Sequence, residues 1–226
     1  MFSDARAVVL TCAGRYADPW HRFAETTARL VEILAEAGIS ADVAADVDAR
    51  LADLGRPDLL VVNAGDPWRG EGHSRGAPAA ARANLASALD RGVGVLAVHA
   101  AISSLRDYDV WRVAVGGDWI AGTSGHPPIG PADIAIEAVA HPITAGVAGF
   151  SLIDERYTGL AIDPDIIGLA GHQHEGETFP LLWARELGRS RIVYDGLGHD
   201  TRSYESPTHR ELIRRAALWA LGALDG

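Results

Sequence analysis

His99 closes the apolar run Gly94-Val95-Leu96-Ala97-Val98 and is followed by Ala100, Ala101 and Ile102. A titratable ring at the end of a buried strand serves as a general base or metal ligand, or else as a core imidazole bonded to backbone. Open α/β sheets bind ligands at the carboxyl ends of their strands, which favours the first use. Asp154-Glu155-Arg156-Tyr157 supplies acids for proton transfer, for bonding sugar hydroxyls or for ligating a metal. Strand alternation puts Asp154 with Arg156 on one face and Glu155 with Tyr157 on the other, so only one carboxylate can share a given pocket. In isolation, a surface ion pair between Asp154 and Arg156 is the simpler account. Leu197-Gly198-His199-Asp200 follows the apolar run 191–194, its glycine allows close backbone approach to a ligand, and Asp200 is available to orient the ring. His172-Gln173-His174 would put two rings on one strand face, but its Gly- and Glu-rich flanks point to an exposed turn.

Other chemistries lack their motifs. Gly92-Val93-Gly94-Val95-Leu96-Ala97 spells a dinucleotide fingerprint, yet it enters a strand where that fingerprint must open a helix. There is no Gly-x-Ser-x-Gly elbow, His-Glu-x-x-His or Cys-x-x-Cys. Cys12 has no sign of activation and reads as a small buried hydrophobe. His21, His73 and His209 stand in polar or helical surroundings and are expected to face solvent.

The elements that must position these groups are marked by hydrophobic pattern. Segments 6–12, 39–45, 58–63 and 93–98 read as strands, the first, third and fourth apolar throughout, as in a parallel sheet covered on both faces. Between them lie a helix entered at Asp18-Pro19 and closed by Gly38, a polar loop over 64–77 and a helix over 78–91. This alternation predicts βαβ units. Beyond them, 108–115 reads as helical, 133–139, 151–157, 165–170, 180–184 and 191–194 as short strands, and Ser206-Pro207 as the start of a last helix.

Composition narrows the function classes. A chain of 226 residues with 48% hydrophobic and 22% charged side chains suits one large α/β domain. No apolar stretch approaches the roughly 20 residues of a membrane span, and the first residues do not read as a secretory signal. A single cysteine fits a reducing cytoplasm. The net charge of −10 argues against nucleic acid and against an anionic membrane surface. The basic residues are all arginines, which removes Schiff-base lysine chemistry and a P-loop lysine.

The ordered set His99, Gly116-Gly117, His141-Pro142-Ile143-Thr144, Asp154-Glu155-Arg156-Tyr157, Pro180 to Arg185, Arg191 to Tyr194, Leu197 to Asp200 and Ala217-Leu218-Trp219-Ala220 resembles the ThuA-like (trehalose-utilisation) family. The resemblance implies one domain over 1–226 with a flavodoxin-like fold similar to class I glutamine amidotransferases: a mostly parallel central sheet with helices on both faces. Where those amidotransferases place a nucleophilic cysteine on a strand-to-helix turn, this chain has Val98-His99-Ala100, so glutamine hydrolysis is not expected. The segments 65–76 and 125–128 depart from relatives and are placed to line a pocket.

The expectation is therefore a pocket in which His99, Glu155 and His199 converge, supported by Tyr157 and Asp200, with Gly117, Trp111 and Asp154 contacting substrate. Two imidazoles and a carboxylate with open positions suit a catalytic divalent metal, Zn or Mn. The resemblance implies a small-molecule carbohydrate, trehalose or a related glycoside or keto sugar. The alternative is a sugar-binding or regulatory module without catalysis, for which Trp68, Trp111, Trp119 and Trp183 are candidate platforms. A symmetric homodimer is a common state for such domains.

Overall fold

Short aliphatic runs become strands here because helices cover them on both sides. The computed structural model describes residues 5–69 and 76–224. The elements are β1 (Arg6–Leu10), α1 (Phe23–Glu36), β2 (Ser40–Ala44), α2 (Val47–Ala52), β3 (Leu59–Val62), α3 (Ala79–Arg91), β4 (Gly94–Val98), α4 (Asp109–Val115), β5 (Gly117–Asp118), β6 (Gly130–Ile136), β7 (Phe150–Asp154), β8 (Ala161–Ile162), β9 (Ile167–His174), β10 (Glu177–Leu187), β11 (Ser190–Asp195) and α5 (Pro207–Ala220). The main sheet runs β2-β1-β3-β4-β11-β10-β9-β6-β7. From β2 to β11 the pairing is parallel, in the flavodoxin-like order 2-1-3-4-5 with β11 as the fifth strand. From β11 to β7 it is antiparallel.

Alternation along the parallel strands sorts two cores. Val9, Val61, Leu96 and Val98 pack with Leu30, Ile33 and Leu34 of α1 and Leu212, Ile213 and Ala216 of α5. Leu10, Leu60, Val62, Val95 and Ala97 pack on the other face with Leu51 of α2, Leu85 and Leu89 of α3 and Trp111 of α4. The α/β class with helices on both faces holds. Parallel pairing stops at β11 because hairpins, not crossover helices, join the remaining strands.

Local chemistry sets the boundaries. Ser206 caps α5 by accepting from His209 N at 3.3 Å, with Pro207 in the first turn. The helix expected at Asp18 begins at Phe23, because Asp18 accepts from Trp20 N and His21 N and holds a turn instead. Helix α2 was not expected; Asp46 caps it through Ala49 N. His172 and His174 lie in β9, not in an exposed turn, and His172 is buried. The turn falls two residues on, where Glu175 and Gly176 both take positive φ, as a tight hairpin requires. Among the described residues no helix is long and apolar enough to cross a membrane.

Strand β4, which presents His99, is pressed against the end of α5. A Cβ at Gly94 would stand 2.6 Å from Ala220 O, a backbone atom that cannot step aside cheaply. Gly94→Ala should therefore lower stability by about 1–3 kcal/mol, read as a drop in urea midpoint at unchanged slope.

Candidate functional site

His99 sits on the sharp turn from β4 into the 3₁₀ segment His99–Ser103, with φ at +48°. That left-handed conformation is uncommon for a residue with a side chain, and it turns the ring off the strand end. Its Nδ1 lies 2.8 Å from Gly196 O, and since a carbonyl only accepts, the ring proton belongs on Nδ1. In the neutral ring Nε2 then offers a lone pair. It stands 3.0 Å from Tyr157 OH, 3.3 Å from His199 Nδ1 and 3.5 Å from Glu155 Oε1. His199 Nδ1 and Glu155 Oε1 are 3.6 Å apart.

A third histidine completes the group. His21, in the loop after β1, donates from Nδ1 to Asp18 Oδ2 at 2.7 Å. Its Nε2 is buried and meets no hydrogen-bonding group among the described residues. The His21 ring centre lies 5.1 Å from that of His99 and 4.7 Å from that of His199. His21, His99, Glu155 and His199 each bring one donor atom, and these atoms lie within 4.8 Å of one another. Ligands at about 2.0–2.1 Å from a tetrahedral ion stand about 3.3–3.4 Å apart. The three closest separations here, 3.3, 3.5 and 3.6 Å, fit that edge.

Electrostatics divide the group: Glu155 and His21 are held in forms that can meet a cation, whereas His199 is biased toward its protonated form and would release a proton on binding one. Burial opposes ionisation of Glu155, but the His199 and His99 rings outweigh it and hold the carboxyl well below the usual range. Burial pushes His21 down, against the pull of Asp18, so the ring stays neutral at neutral pH. His199 is raised, because Glu155 outweighs the cost of burial. Burial raises Tyr157 far above its ordinary value and keeps its hydroxyl protonated.

Behind these four side chains lies a buried polar scaffold. Asp154 ends β7 and accepts from Glu155 N (2.8 Å), Gly198 N (2.7 Å), His199 N (3.1 Å) and Ser203 Oγ (2.6 Å). His209, fully buried, touches Ser203 Oγ at 2.9 Å and Asp195 Oδ2 at 2.8 Å. Asp195 in turn accepts from Leu197 N. The loop that carries His199 is thereby fastened at both ends.

A family model for ThuA, described as trehalose utilisation, matches residues 8–220. The chain belongs to the ThuA family. Solved structures agree in fold. A ThuA-like protein from Parabacteroides merdae superposes with a TM-score of 0.81 at 17% identity, covering 98% of this chain and 92% of that one. One from Bacteroides uniformis gives 0.73 at 16% identity, covering 96% and 91%. A GH42 β-galactosidase from G. stearothermophilus gives 0.57 at 13% identity, with 88% of this chain matching 28% of that one. No curated protein matches in sequence.

Within this ThuA-family fold the expected residues divide. His99, Glu155, His199 and Tyr157 meet. Asp154 is buried and bonds the scaffold, paired with neither Arg156 nor a pocket. Asp200 does not orient His199; Arg202 draws it away at 2.5 Å, since neighbouring side chains diverge. Gly117 is needed for packing, because a Cβ there would press Ile102 and Trp183 at 3.0 Å. Trp111 and Trp183 are core residues whose indole N–H groups bond Ala101 O and Val115 O. Trp68 is exposed and bonds Asp107, whereas Trp119 packs on Tyr157, which in turn stacks on His99. His21 and His209, expected at the surface, are both enclosed, and His73 lies outside the described residues. The sequence reading also missed Asp18. It marked 125–128 as placed to line a pocket, and within that segment His126 Nδ1 lies 3.1 Å from Glu155 Oε2. Clefts of about 240 and 300 Å³, both lined by Arg56 and Pro57, open at the opposite end of the parallel strands.

Two outcomes follow from the scaffold. Asp154→Ala leaves several buried donors without an acceptor and should cost roughly 2–4 kcal/mol in urea unfolding. His209 is held above its ordinary value because Asp195 more than offsets burial. A raised group stabilises the fold fully below its unfolded pKa of about 6.5, and this contribution fades as pH climbs through the raised value. Unfolding free energy should thus fall more between pH 6 and 9 in the wild type than in His209→Gln; equal slopes would refute this.

Proposed function

We propose that this ThuA-family protein is a metal-assisted enzyme of carbohydrate utilisation. His21, His99, Glu155 and His199 hold one divalent ion, Zn²⁺ or Mn²⁺, and the substrate is a sugar or glycoside, best an oxidised, keto form. The reading is carried by the convergence of the four donor atoms, with the far nitrogens of His21 and His99 already committed to Asp18 and Gly196 O. Such outer acceptors fix the tautomer and aim of ligating imidazoles. The three histidines and one acid fit Zn²⁺ or Mn²⁺ in chemistry and spacing.

When bound, the ion supplies Lewis-acid polarisation of a substrate oxygen. The chain's own groups do the rest. Tyr157, still protonated beside His99, donates a hydrogen bond to a substrate oxygen. His126 occupies Glu155 Oε2 and leaves Oε1 facing the ligands. Trp119, edge-on to Tyr157 at 4.9 Å, gives a sugar ring an apolar wall. Proton transfer next to a sugar carbonyl is the reaction class this set suits. A cytoplasmic setting accords with the lone cysteine.

The test begins with protein stripped by chelator and titrated with Zn²⁺ or Mn²⁺ in a calorimeter. One ion per chain is expected, with a rise in melting temperature. His21→Ala, His99→Ala and His199→Ala should each lose most of the affinity, and Asp18→Asn should weaken it about 10–100-fold. The loaded protein should consume 3-keto-glucosides and the stripped protein should not. Wild-type-like metal binding in His99→Ala and His199→Ala would sink the metal site. Sugar binding without turnover would favour the binding-module reading, which the aromatic wall also suits.

A further inference from the structure

Rings and one guanidinium rise in a stack from the ligands to solvent. The Tyr157 ring packs at 4.4 Å on His99 and edge-on against Trp119. Arg69 lies over Trp119, 5.4 Å from the ring centre, and 5.7 Å from the centre of Trp20. Trp20 is 57% exposed, so the stack ends in solvent. The stack is built, not incidental. Arg106 bonds Asp66 Oδ2 at 3.0 Å, Asp118 Oδ1 at 2.9 Å and Trp119 O at 2.8 Å, tying the loop that carries Arg69 to the loop that carries Trp119. Trp20 is anchored one residue before His21 by the same Asp18 carboxylate.

The charge of Arg69 is only loosely answered. Its ion pair with Asp66 is long, at 3.9 Å, and that carboxylate is already engaged by Arg106 at 3.0 Å. A neutral sugar needs only ring stacking and hydroxyl contacts. A guanidinium 5.4 and 5.7 Å from two indole ring centres is held by both, and its planar set of donors suits the two-bond grip of a carboxylate or phosphate. On a chain of net charge −10, such a cation in the stack marks the spot where an anion is welcome.

We propose that the site selects a carbohydrate bearing an oxyanion, a carboxylate or a phosphate, which Arg69 grips while the sugar ring lies against Trp119 and Trp20. This rests on the carbohydrate reading above and adds the charge of the substrate.

The test is calorimetry of the full-length, Mn²⁺-loaded protein with D-glucose, D-glucuronate and D-glucose 6-phosphate. At least one anionic sugar should bind about tenfold or more tighter than glucose, as a charge-assisted pair implies, and the tighter of the two identifies the group. Arg69→Met should erase the preference while keeping the Mn²⁺ affinity and melting temperature of the wild type. Arg69→Lys should retain part of it. Equal binding of all three sugars would overturn the proposal and leave the carbohydrate reading intact. A preference that survives in Arg69→Met would also overturn it, since the anion would then be held by something else. Failure of every sugar to bind the loaded protein would remove the carbohydrate reading and this inference together.

Discussion

Asp154 takes donors from its own neighbour and from Gly198, His199 and Ser203, between 44 and 49 residues away. In a flat sheet, with strands about 4.8 Å apart, β7 would lie nearly 20 Å from β11, because three strands separate them. The antiparallel half must therefore curl, and Asp154 is where the curl closes. Its carboxylate sets Glu155 and His199 side by side by bonding the backbone N–H of each. A buried carboxyl group is tolerated there because donors surround its oxygens.

The division of labour within the sheet explains the site. The parallel half supplies His21, His99 and His199 from the loops after β1, β4 and β11, the edge where such sheets bind ligands. The antiparallel half supplies Glu155 and Tyr157 from beyond β7. Neither half holds the full set. The pairing of β11 with β4 on one side and β10 on the other joins them in register.

How much of this was legible depended on whether the signal was local. His99 stood out because an apolar run ended in an imidazole, Glu155 because two acids stood together in a strand-like segment, which in fact ends at Asp154, and His199 because it followed one. The helices over 79–91 and 207–220 were marked by their own caps and periodicity. His21 was misread because nothing near it in sequence says that Asp18 bends the loop inward. That bend depends on Gly65, where a Cβ would meet Tyr16 O at 2.7 Å and Asp18 Oδ2 at 2.8 Å. Asp200 was misread for the opposite reason: adjacency in sequence suggested a partnership that side-chain direction denies. His209 looked exposed because a polar residue in the first turn of a helix usually is, and its buried acceptor, Asp195, comes from another element.

The last strand of the chain lies in the middle of the sheet. During synthesis β2, β1, β3 and β4 can pair as soon as they emerge, but β4 then shows a bare row of backbone donors and acceptors until residues 190–195 arrive. A nascent chain of this protein therefore carries a sticky central seam, open to solvent or to a chaperone, while roughly a hundred residues are added. His21 and His99, at the ends of β1 and β4, are made early and wait for Glu155 and then for His199, made a hundred residues after His99, before the cluster exists.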